Sequence, residues 1–334
     1  MRGLKNTTGV VLGVANEKSI CWGAVLQAIE AGADPKNIIL LVQNETYARR
    51  VRPLAAEVGI EKVLLCDLER MSPEDPYSLF AVAEQVKEMY GEKSINWMLH
   101  GAAFSDRAEL DGRLLDTSAP NFVNTMLISV YSFIRMVKVF ENLLADGASI
   151  VTLTFRASRH PFVNYNVMGL AKAALEACVR GLALDLGPER KVRVNAISSG
   201  TVRTLAAAGI SEYQLIGDSE KARSPLGGLV AQEDVGAVIV FALSPDSATW
   251  TGEVISADGG VGIPGMIPPA NAEIEMQAMM RMANITHGRS STDNLEVLKG
   301  VVKHLLGGGE VKLVGPTDDK MREAGKMDRT PPGA

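Results

Sequence analysis

The sequence predicts an α/β protein built on a doubly wound parallel sheet of about seven strands, followed by a helical C-terminal extension. Strand-like and helix-like segments alternate from residue 8 to about residue 260. The strand-like segments are apolar throughout, which indicates burial on both faces of the sheet. Regular alternation of this kind places helices on both sides of a parallel sheet through right-handed crossovers.

Seven short apolar runs are the predicted strands, at residues 9–13, 38–42, 62–66, 95–100, 149–154, 192–197 and 253–257. Between them, helical spacing predicts helices at residues 20–31, 46–58, 119–144, 163–186 and 233–243. A further helix follows the third strand, with Phe80, Val82, Val86 and Met89 expected on its apolar side.

The alternation stops after about residue 265, so we divide the chain into a catalytic domain at 1–264, a helical extension at 265–315 and a disordered tail at 316–334. Residues 272–284 and 293–306 have amphipathic helical spacing, and the first of these carries a Met-rich stripe. The tail is polar, charged and contains Pro and Gly, which is typical of disorder.

Composition narrows the class of protein. The net charge of −5 gives no electrostatic reason to expect nucleic acid as a partner. No uninterrupted apolar run approaches the ~20 residues of a membrane span, and no signal peptide precedes the first strand. The cysteines Cys21, Cys66 and Cys178 are far apart, so neither a disulfide nor a metal site is expected. Buried thiols in the cytoplasm fit this pattern best.

The segment after the first strand has the features of a dinucleotide-binding turn. Gly13 allows a sharp turn, Ser19 can cap the next helix or bind a phosphate, and Gly23 allows that helix to pack close to the sheet. A helix N-terminus attracts a pyrophosphate through free N–H groups and partial positive charge. Two glycines ten residues apart fit a plain strand–turn–helix equally well, and it is the position after strand one that favours a cofactor.

Later strand ends carry further candidates. Gln43 follows the second strand with no Arg or Lys beside it, which favours NADH over NADPH. Asp67 follows the third strand and could contact adenine or cap the next helix. His100 ends the fourth strand, where a buried, hydrogen-bonded histidine is more consistent with the sequence than a catalyst. Gly101 and Ala102 are small enough to let the backbone approach a cofactor.

Tyr165 and Lys172 form the most distinctive pair in the chain. Seven residues make nearly two helical turns, so both side chains are expected on one helix face. Lys172 can hold ribose hydroxyls, and its charge is expected to favour ionisation of the Tyr165 phenol.

The surrounding blocks resemble the divergent short-chain dehydrogenase/reductases, and the segment PxxNYNVMGLAKAALEA is similar to enoyl-acyl-carrier-protein reductases in particular. The resemblance covers residues 4–264. It implies a Rossmann-type sheet, NADH as cofactor, an enoyl thioester of acyl carrier protein or coenzyme A as substrate, and a homotetramer. It implies these cofactor-binding residues: Gly13, Ala15, Ser19, Ile20, Gln43, Asp67, Leu68, Gly101, Ala102, Lys172, Gly200, Val202 and Thr204.

The same resemblance implies catalytic roles for Tyr165 and Lys172, and substrate contacts from Phe104, Phe155, Tyr165, Leu205 and Ala206. Residues from Thr204 to about 216 are expected to fold over the acyl chain. The Met-rich stripe then has three interpretations: packing on its own domain, packing on a neighbouring subunit, or covering the acyl pocket.

Three positions depart from the family pattern. Phe155 stands where most bacterial members have a second Tyr, Thr201 replaces the usual Pro, and residues 101–103 replace a more typical Ser-Ile-Gly. These departures leave open a short-chain reductase acting on another enone or ketone. A non-catalytic dinucleotide-binding module is a third alternative, against which the intact Tyr165 and Lys172 argue.

Overall fold

All seven strands form one parallel sheet in the order β3-β2-β1-β4-β5-β6-β7. A computed structural model describes residues 3–110, 113–162, 164–204, 213–264 and 271. The strands are β1 Gly9–Leu12, β2 Ile38–Val42, β3 Lys62–Leu65, β4 Ile95–His100, β5 Leu144–Phe155, β6 Arg193–Ser199 and β7 Val254–Ala257. The predicted doubly wound sheet of seven strands is confirmed, and β5 is longer than predicted because it starts directly after the preceding helix.

Nine α-helices connect these strands in the described residues. They are α1 Ile20–Glu30, α2 Glu45–Glu57, α3 Leu79–Tyr90, α4 Arg107–Leu110, α5 Ala119–Met126, α6 Ser132–Phe140, α7 Asn166–Arg190, α8 Tyr213–Arg223 and α9 Gln232–Leu243. The predicted helix boundaries agree with these to within a few residues, except that α7 begins at Asn166 and extends to Arg190.

The core has two layers because successive residues of each strand point to opposite faces of the sheet. Val10 and Met98 lie in one layer with residues of α3, α6 and α7. Val11 and Leu99 lie in the other layer with residues of α1, α2 and α9. Apolar strands are therefore required, since both faces of each central strand are buried.

Helices α1 and α9 pack in close contact through two glycines. A Cβ on Gly23 would lie 2.6 Å from Cγ of Gln232, and a Cβ on Gly236 would lie 2.8 Å from the Gly23 backbone. Gly23 thus allows a helix–helix contact, whereas the sequence analysis assigned it to a helix–sheet contact. Side chains at these positions would separate the two helices.

The buried face of α3 differs from the prediction. Leu79, Val82 and Val86 are buried, but Phe80 and Met89 are 37% and 43% exposed. Apolar residues occur on both sides of this helix, so periodicity alone could not distinguish the face that packs on the sheet from the outer face.

The predicted long helix at 119–144 is continuous in space but not regular. A π-helical turn at Leu127–Tyr131 separates α5 from α6, and a short 3-10 turn, Glu141–Leu143, ends the run. By length and composition this run could cross a membrane, which the sequence analysis did not expect. Phe133, Met136 and Phe140 are fully buried against the sheet, so we interpret it as a core helix.

Cys21 and Cys66 are buried free thiols, as predicted, whereas the free thiol of Cys178 is only half-buried. The predicted extension at 265–315 and tail at 316–334 lie outside the described residues, apart from Asn271.

Candidate active site

The strand order reverses between β1 and β4, and each of these strands is followed directly by a glycine. Gly13 has φ +122°, and a Cβ there would lie 2.9 Å from the Gly101 backbone. A Cβ on Gly101 would lie 2.2 Å from Sγ of Cys21. Doubly wound sheets bind ligands at the crevice where the strand order reverses. Neither glycine can carry a side chain there, so the crevice is lined by backbone.

The loop between β1 and α1 is held by Ser19. Its hydroxyl accepts hydrogen bonds from the backbone N–H groups of Ala15 and Asn16, at 3.0 and 3.1 Å. Ser19 is the N-cap residue of α1, but its side chain does not cap the helix. The first turn of α1, which starts at half-buried Ile20, therefore has no side-chain cap, and the pyrophosphate site predicted at this turn stays a prediction.

The ends of β2 and β3 form the predicted adenosine side. The Gln43 side chain is exposed at the end of β2, and Leu68 is buried. Asp67 accepts a hydrogen bond from the Glu69 N–H at 3.0 Å and pairs with Arg70 at 3.5 Å. Asp67 does not cap the next helix, because Ser78 is the N-cap of α3.

Arg135 of α6 fixes the same loop and was not identified from the sequence. It is 5% exposed and donates hydrogen bonds to the carbonyl oxygens of Leu68, at 3.2 Å, and Arg70, at 2.5 Å. Burial lowers the pKa of its guanidinium. The two hydrogen bonds to carbonyl oxygens compensate for the burial of the Arg135 charge. They also tie the loop at Leu68 and Arg70 to α6, so the loop conformation depends on Arg135.

His100 is a structural residue, as the sequence analysis favoured. It is fully buried, with Nδ1 3.1 Å from Oγ1 of Thr152 and Nε2 2.8 Å from Oγ of Ser132. Burial and then the charge of Lys172 lower the pKa of His100 to about 3. A neutral ring with both nitrogens bonded joins β4, β5 and α6 and has no free position for catalysis.

The segment after β4 is held by the π-helical turn. Oγ of Ser129 accepts from the Phe104 N–H at 3.0 Å and donates to the Phe104 carbonyl at 3.1 Å. The Phe104 side chain remains 47% exposed, as a predicted substrate contact requires, and Ala102 is half-buried. π-Turns often occur at functional sites, and this one carries Ser129, which is buried and holds the Phe104 backbone.

Tyr165 is the N-cap residue of α7, and Lys172 lies in the second turn of the same helix. The Tyr165 carbonyl accepts the first helical hydrogen bond from Gly169, at 2.9 Å. A Cβ on Gly169 would lie 2.9 Å from the Ala157 carbonyl. Gly169 therefore allows α7 to approach the end of β5 closely, which places Tyr165 and Lys172 beside that strand end.

Phe155, the last residue of β5, packs against Tyr165. The two rings are 5.2 Å apart with an edge-to-face geometry, and Phe162 is 4.9 Å from Phe155 on the other side. This apolar cluster buries the phenol, and burial raises the pKa of Tyr165. Burial is the cause of this shift, and the charge of Lys172 does not contribute to it, so the expected ionisation of Tyr165 by Lys172 is not met in this arrangement.

Lys172 is a buried ammonium group with spare donors. It is 6% exposed, and its Nζ donates to the Leu153 carbonyl at 2.9 Å. Burial lowers the pKa of Lys172 to about 8, while Cys21 and Glu176 act to raise it. An ammonium has three N–H groups, and in the described part of the chain only this one bond is formed. Two donors therefore remain, which fits the two hydroxyls of a ribose.

Glu176, one helical turn after Lys172, was also not identified from the sequence. It is 5% exposed, accepts from Oγ1 of Thr154 at 2.8 Å, and lies 3.8 Å from Arg159. Its position on α7 makes it the acidic neighbour of Lys172 on the side away from Tyr165.

The chain after β6 contains the last group of predicted residues. Gly200, Thr201 and Val202 are buried, and the Thr204 N–H donates to the Val202 carbonyl at 2.8 Å. A Cβ on Gly200 would lie 3.1 Å from Cα of Asp258, so this position also requires a small residue. The predicted substrate contacts Leu205 and Ala206 lie outside the described residues.

Comparison with known proteins assigns this site to one family. A family model described as enoyl-(acyl carrier protein) reductase matches residues 13–262. An enoyl-[acyl-carrier-protein] reductase [NADH] of Rhizobium meliloti is 44% identical over 265 residues, which cover 79% of this chain and 93% of the relative.

Solved structures agree with this assignment. An enoyl-(acyl-carrier-protein) reductase from Anaplasma phagocytophilum in complex with NAD is 39% identical, with a TM-score of 0.73, and the match covers 79% of this chain and 97% of that one. The Bacillus cereus enoyl-acyl carrier protein reductase, in a structure with NADP+ and an indole naphthyridinone, is 37% identical with a TM-score of 0.74. That match covers 80% of this chain and 100% of the other.

Proposed function

Because the chain belongs to the enoyl-(acyl carrier protein) reductase family, we propose that it reduces the trans-2 double bond of an enoyl thioester with NADH in fatty acid synthesis. The observation that carries this proposal is the pair on α7, a buried Lys172 with spare donors and a Tyr165 packed against Phe155. A protein that only binds a dinucleotide has no use for the phenol.

Bound NADH would supply a hydride to the β-carbon of the substrate, and a proton from solvent would complete the saturated thioester at the α-carbon. Negative charge then develops on the thioester oxygen, and Tyr165 donates a hydrogen bond to that oxygen. A phenol with a raised pKa stays protonated at neutral pH and can act as this donor. Lys172 orients the ribose with its remaining N–H groups, and the crevice at Gly13 and Gly101 admits the cofactor backbone.

NADH is preferred to NADPH because no basic residue lies immediately beside exposed Gln43 at the end of β2. The remaining cofactor contacts follow the sequence assignment: the loop at Ala15 and Ser19, the adenine side at Asp67 and Leu68, and the nicotinamide side from Gly200 to Thr204.

The assembly and location are part of the same proposal. Acyl carrier protein is the carrier we expect, with a coenzyme A thioester as the alternative, in a cytoplasmic homotetramer. Apolar side chains on the outer surface of the α5–α7 region support self-association. These are Val123, Tyr131, Ile134, Leu170 and Leu184, from 37% to 74% exposed. Removing residues from 265 onward and measuring size by chromatography tests whether the extension contributes, and an unchanged size argues that it does not.

The experiment follows NADH absorbance with a medium-chain trans-2-enoyl thioester, with NADPH in a parallel reaction. We expect substrate-dependent oxidation that is faster with NADH. Faster oxidation of NADPH would contradict the interpretation of Gln43.

The variant Tyr165→Phe tests the assigned role of the phenol. Removing one oxyanion donor should lower kcat by about 100- to 1000-fold. NADH affinity should stay within a few-fold of the wild-type value, since the phenol is assigned to the substrate. Tyr47→Phe, a half-buried tyrosine on α2, is the control and should leave kcat unchanged. An unchanged kcat in Tyr165→Phe would remove Tyr165 from the mechanism.

A second candidate function is reduction of another enone or a ketone, which Phe155 favours because it offers no second hydroxyl beside Tyr165. Competition between enoyl and 3-ketoacyl thioesters separates the two functions. Oxidation of NADH by the ketone alone would select the alternative.

A further inference from the structure

A buried carboxylate joins α8 to the chain that leaves β6. Oε2 of Glu220 accepts a hydrogen bond from the Thr201 N–H at 2.7 Å, and Glu220 is 2% exposed. Burial raises the pKa of Glu220, and hydrogen bonding from Thr201 acts against that rise. The backbone N–H that Thr201 has and proline lacks is therefore directed at Glu220.

The same carboxylate faces the end of β5. Oε1 of Glu220 lies 3.6 Å from a terminal nitrogen of Arg156, whose side chain is 15% exposed and whose guanidinium packs 4.9 Å from the centroid of the Phe162 ring. Asp258, which follows β7, is the other charged group that affects Glu220. One residue thus contacts the exits of two adjacent strands, β5 and β6.

The segment after β5 lies beside the proposed hydrogen-bond donor, and the segment after β6 is assigned to the nicotinamide. Arg156 directly follows Phe155, which packs against Tyr165. Thr201 lies between Gly200 and Val202, which are assigned to the nicotinamide. A small change in the separation of these segments changes the separation of phenol and hydride donor, and misplacement by about 1 Å can lower a rate 100-fold.

We infer that Glu220 is a positioning residue for hydride transfer, which holds the nicotinamide segment at Thr201 in fixed register with the Tyr165 segment through Arg156. This inference rests on the proposed function. The Thr201 N–H and Glu220 form a matched pair that proline at this position could not make. Proline at 201 would leave a buried carboxylate without its main partner, and such a group is costly.

The test is a double-mutant cycle of Thr201→Pro and Glu220→Met, with Glu220→Gln and Thr201→Val as controls. Methionine matches the length of glutamate without its acceptor oxygens. Glutamine keeps an acceptor for the Thr201 N–H, and valine keeps the N–H itself. For each variant, kcat with the enoyl thioester is divided by the number of NADH-binding sites found by fluorescence titration, so that misfolded protein does not count.

We expect kcat per site to fall about tenfold or more in each of Thr201→Pro and Glu220→Met, the range for a hydrogen bond to a charged group. The NADH Kd should change less than threefold, because the adenosine side is untouched. Glu220→Gln and Thr201→Val should stay within about threefold of wild type. The double variant should lose no more than either single variant, since each single substitution already breaks the same link.

Two outcomes overturn the inference while the proposed function stands: kcat per site unchanged in Glu220→Met, or losses in the two single variants that multiply in the double variant. If wild-type protein binds NADH but oxidises none with the enoyl thioester, the proposed function fails and the inference fails with it. Thermal unfolding of all variants shows whether a loss of kcat reflects loss of folded protein.

Discussion

Lys172 should weaken the folded protein while it enables the reaction, so Lys172→Met should give a more stable but inactive enzyme. Burial holds the pKa of Lys172 at about 8, compared with its ordinary value of 10.5. A lysine whose pKa is lower in the folded state binds its proton less strongly there than in the unfolded chain. Stability should therefore be lower below pH 8 and rise between about pH 8 and pH 10.5.

The magnitude follows from that difference. At about 1.36 kcal/mol per pH unit, the shift corresponds to roughly 3 kcal/mol of destabilisation at pH 7. Methionine removes this cost but also loses the hydrogen bond to the Leu153 carbonyl, worth about 1 kcal/mol. The net gain is about 2 kcal/mol. At roughly 2–4 °C per kcal/mol for a domain of this size, Tm should rise by about 4–8 °C.

The assay is thermal unfolding of wild type and Lys172→Met at pH 7 and pH 9.5, together with NADH titration and turnover. The Tm advantage of the variant should be largest at pH 7 and shrink at pH 9.5, where the wild-type lysine is neutral. Exposed Lys5 provides the matched control, and Lys5→Met should show no pH-dependent difference. NADH affinity and kcat should both fall in Lys172→Met, since the ribose loses its cation.

A lower Tm for Lys172→Met at pH 7, with a pH dependence equal to that of wild type, would refute the reasoning. It would mean that Lys172 is stabilised in the folded state by groups that offset its burial.

Two further predictions concern the neighbours of this group. Glu176→Gln removes a charge that raises the pKa of Lys172, so the loss of NADH affinity at alkaline pH should occur at a lower pH than in wild type. Loss at the wild-type pH would exclude Glu176 as the electrostatic partner of Lys172. Gly101→Ala places a Cβ 2.2 Å from Sγ of Cys21 and should cost about 1–3 kcal/mol in chemical denaturation, with recovery in Gly101→Ala/Cys21→Ala. Gly181→Ala, on an open face of α7, is the control and should stabilise the protein by up to about 1 kcal/mol; equal effects at the two glycines would contradict the crowding at Gly101.

Local patterns in the sequence were sufficient for the elements and for part of the site. Apolar runs such as residues 38–42 predict buried parallel strands because a strand covered on both faces must be apolar at every position. The spacing of Tyr165 and Lys172 places them on one helix, and the structure confirms that both belong to α7 or its N-cap. Gly13 is predictable because a sharp turn after the first strand requires a positive φ.

The long-range polar contacts were decided by the tertiary structure alone. His100 meets Ser132 and Thr152, which are 32 and 52 residues away, and Arg135 meets a carbonyl 67 residues away. Side-chain periodicity reports only whether a residue faces the core, and it carries no information about which polar group arrives from another element. The outer position of Phe80 was missed for the same reason, since the face of α3 is selected by the neighbour that covers it.

The sequence by itself therefore determined the fold class and the placement of Tyr165 and Lys172 on one helix, because each depends on residues close together in the chain. Only the tertiary structure decided that burial raises the pKa of Tyr165, that burial lowers the pKa of Lys172 to about 8, and that Glu220 accepts a hydrogen bond from Thr201. Those properties depend on how much water reaches each group and which charges face it, and both are set only when the strands and helices pack together.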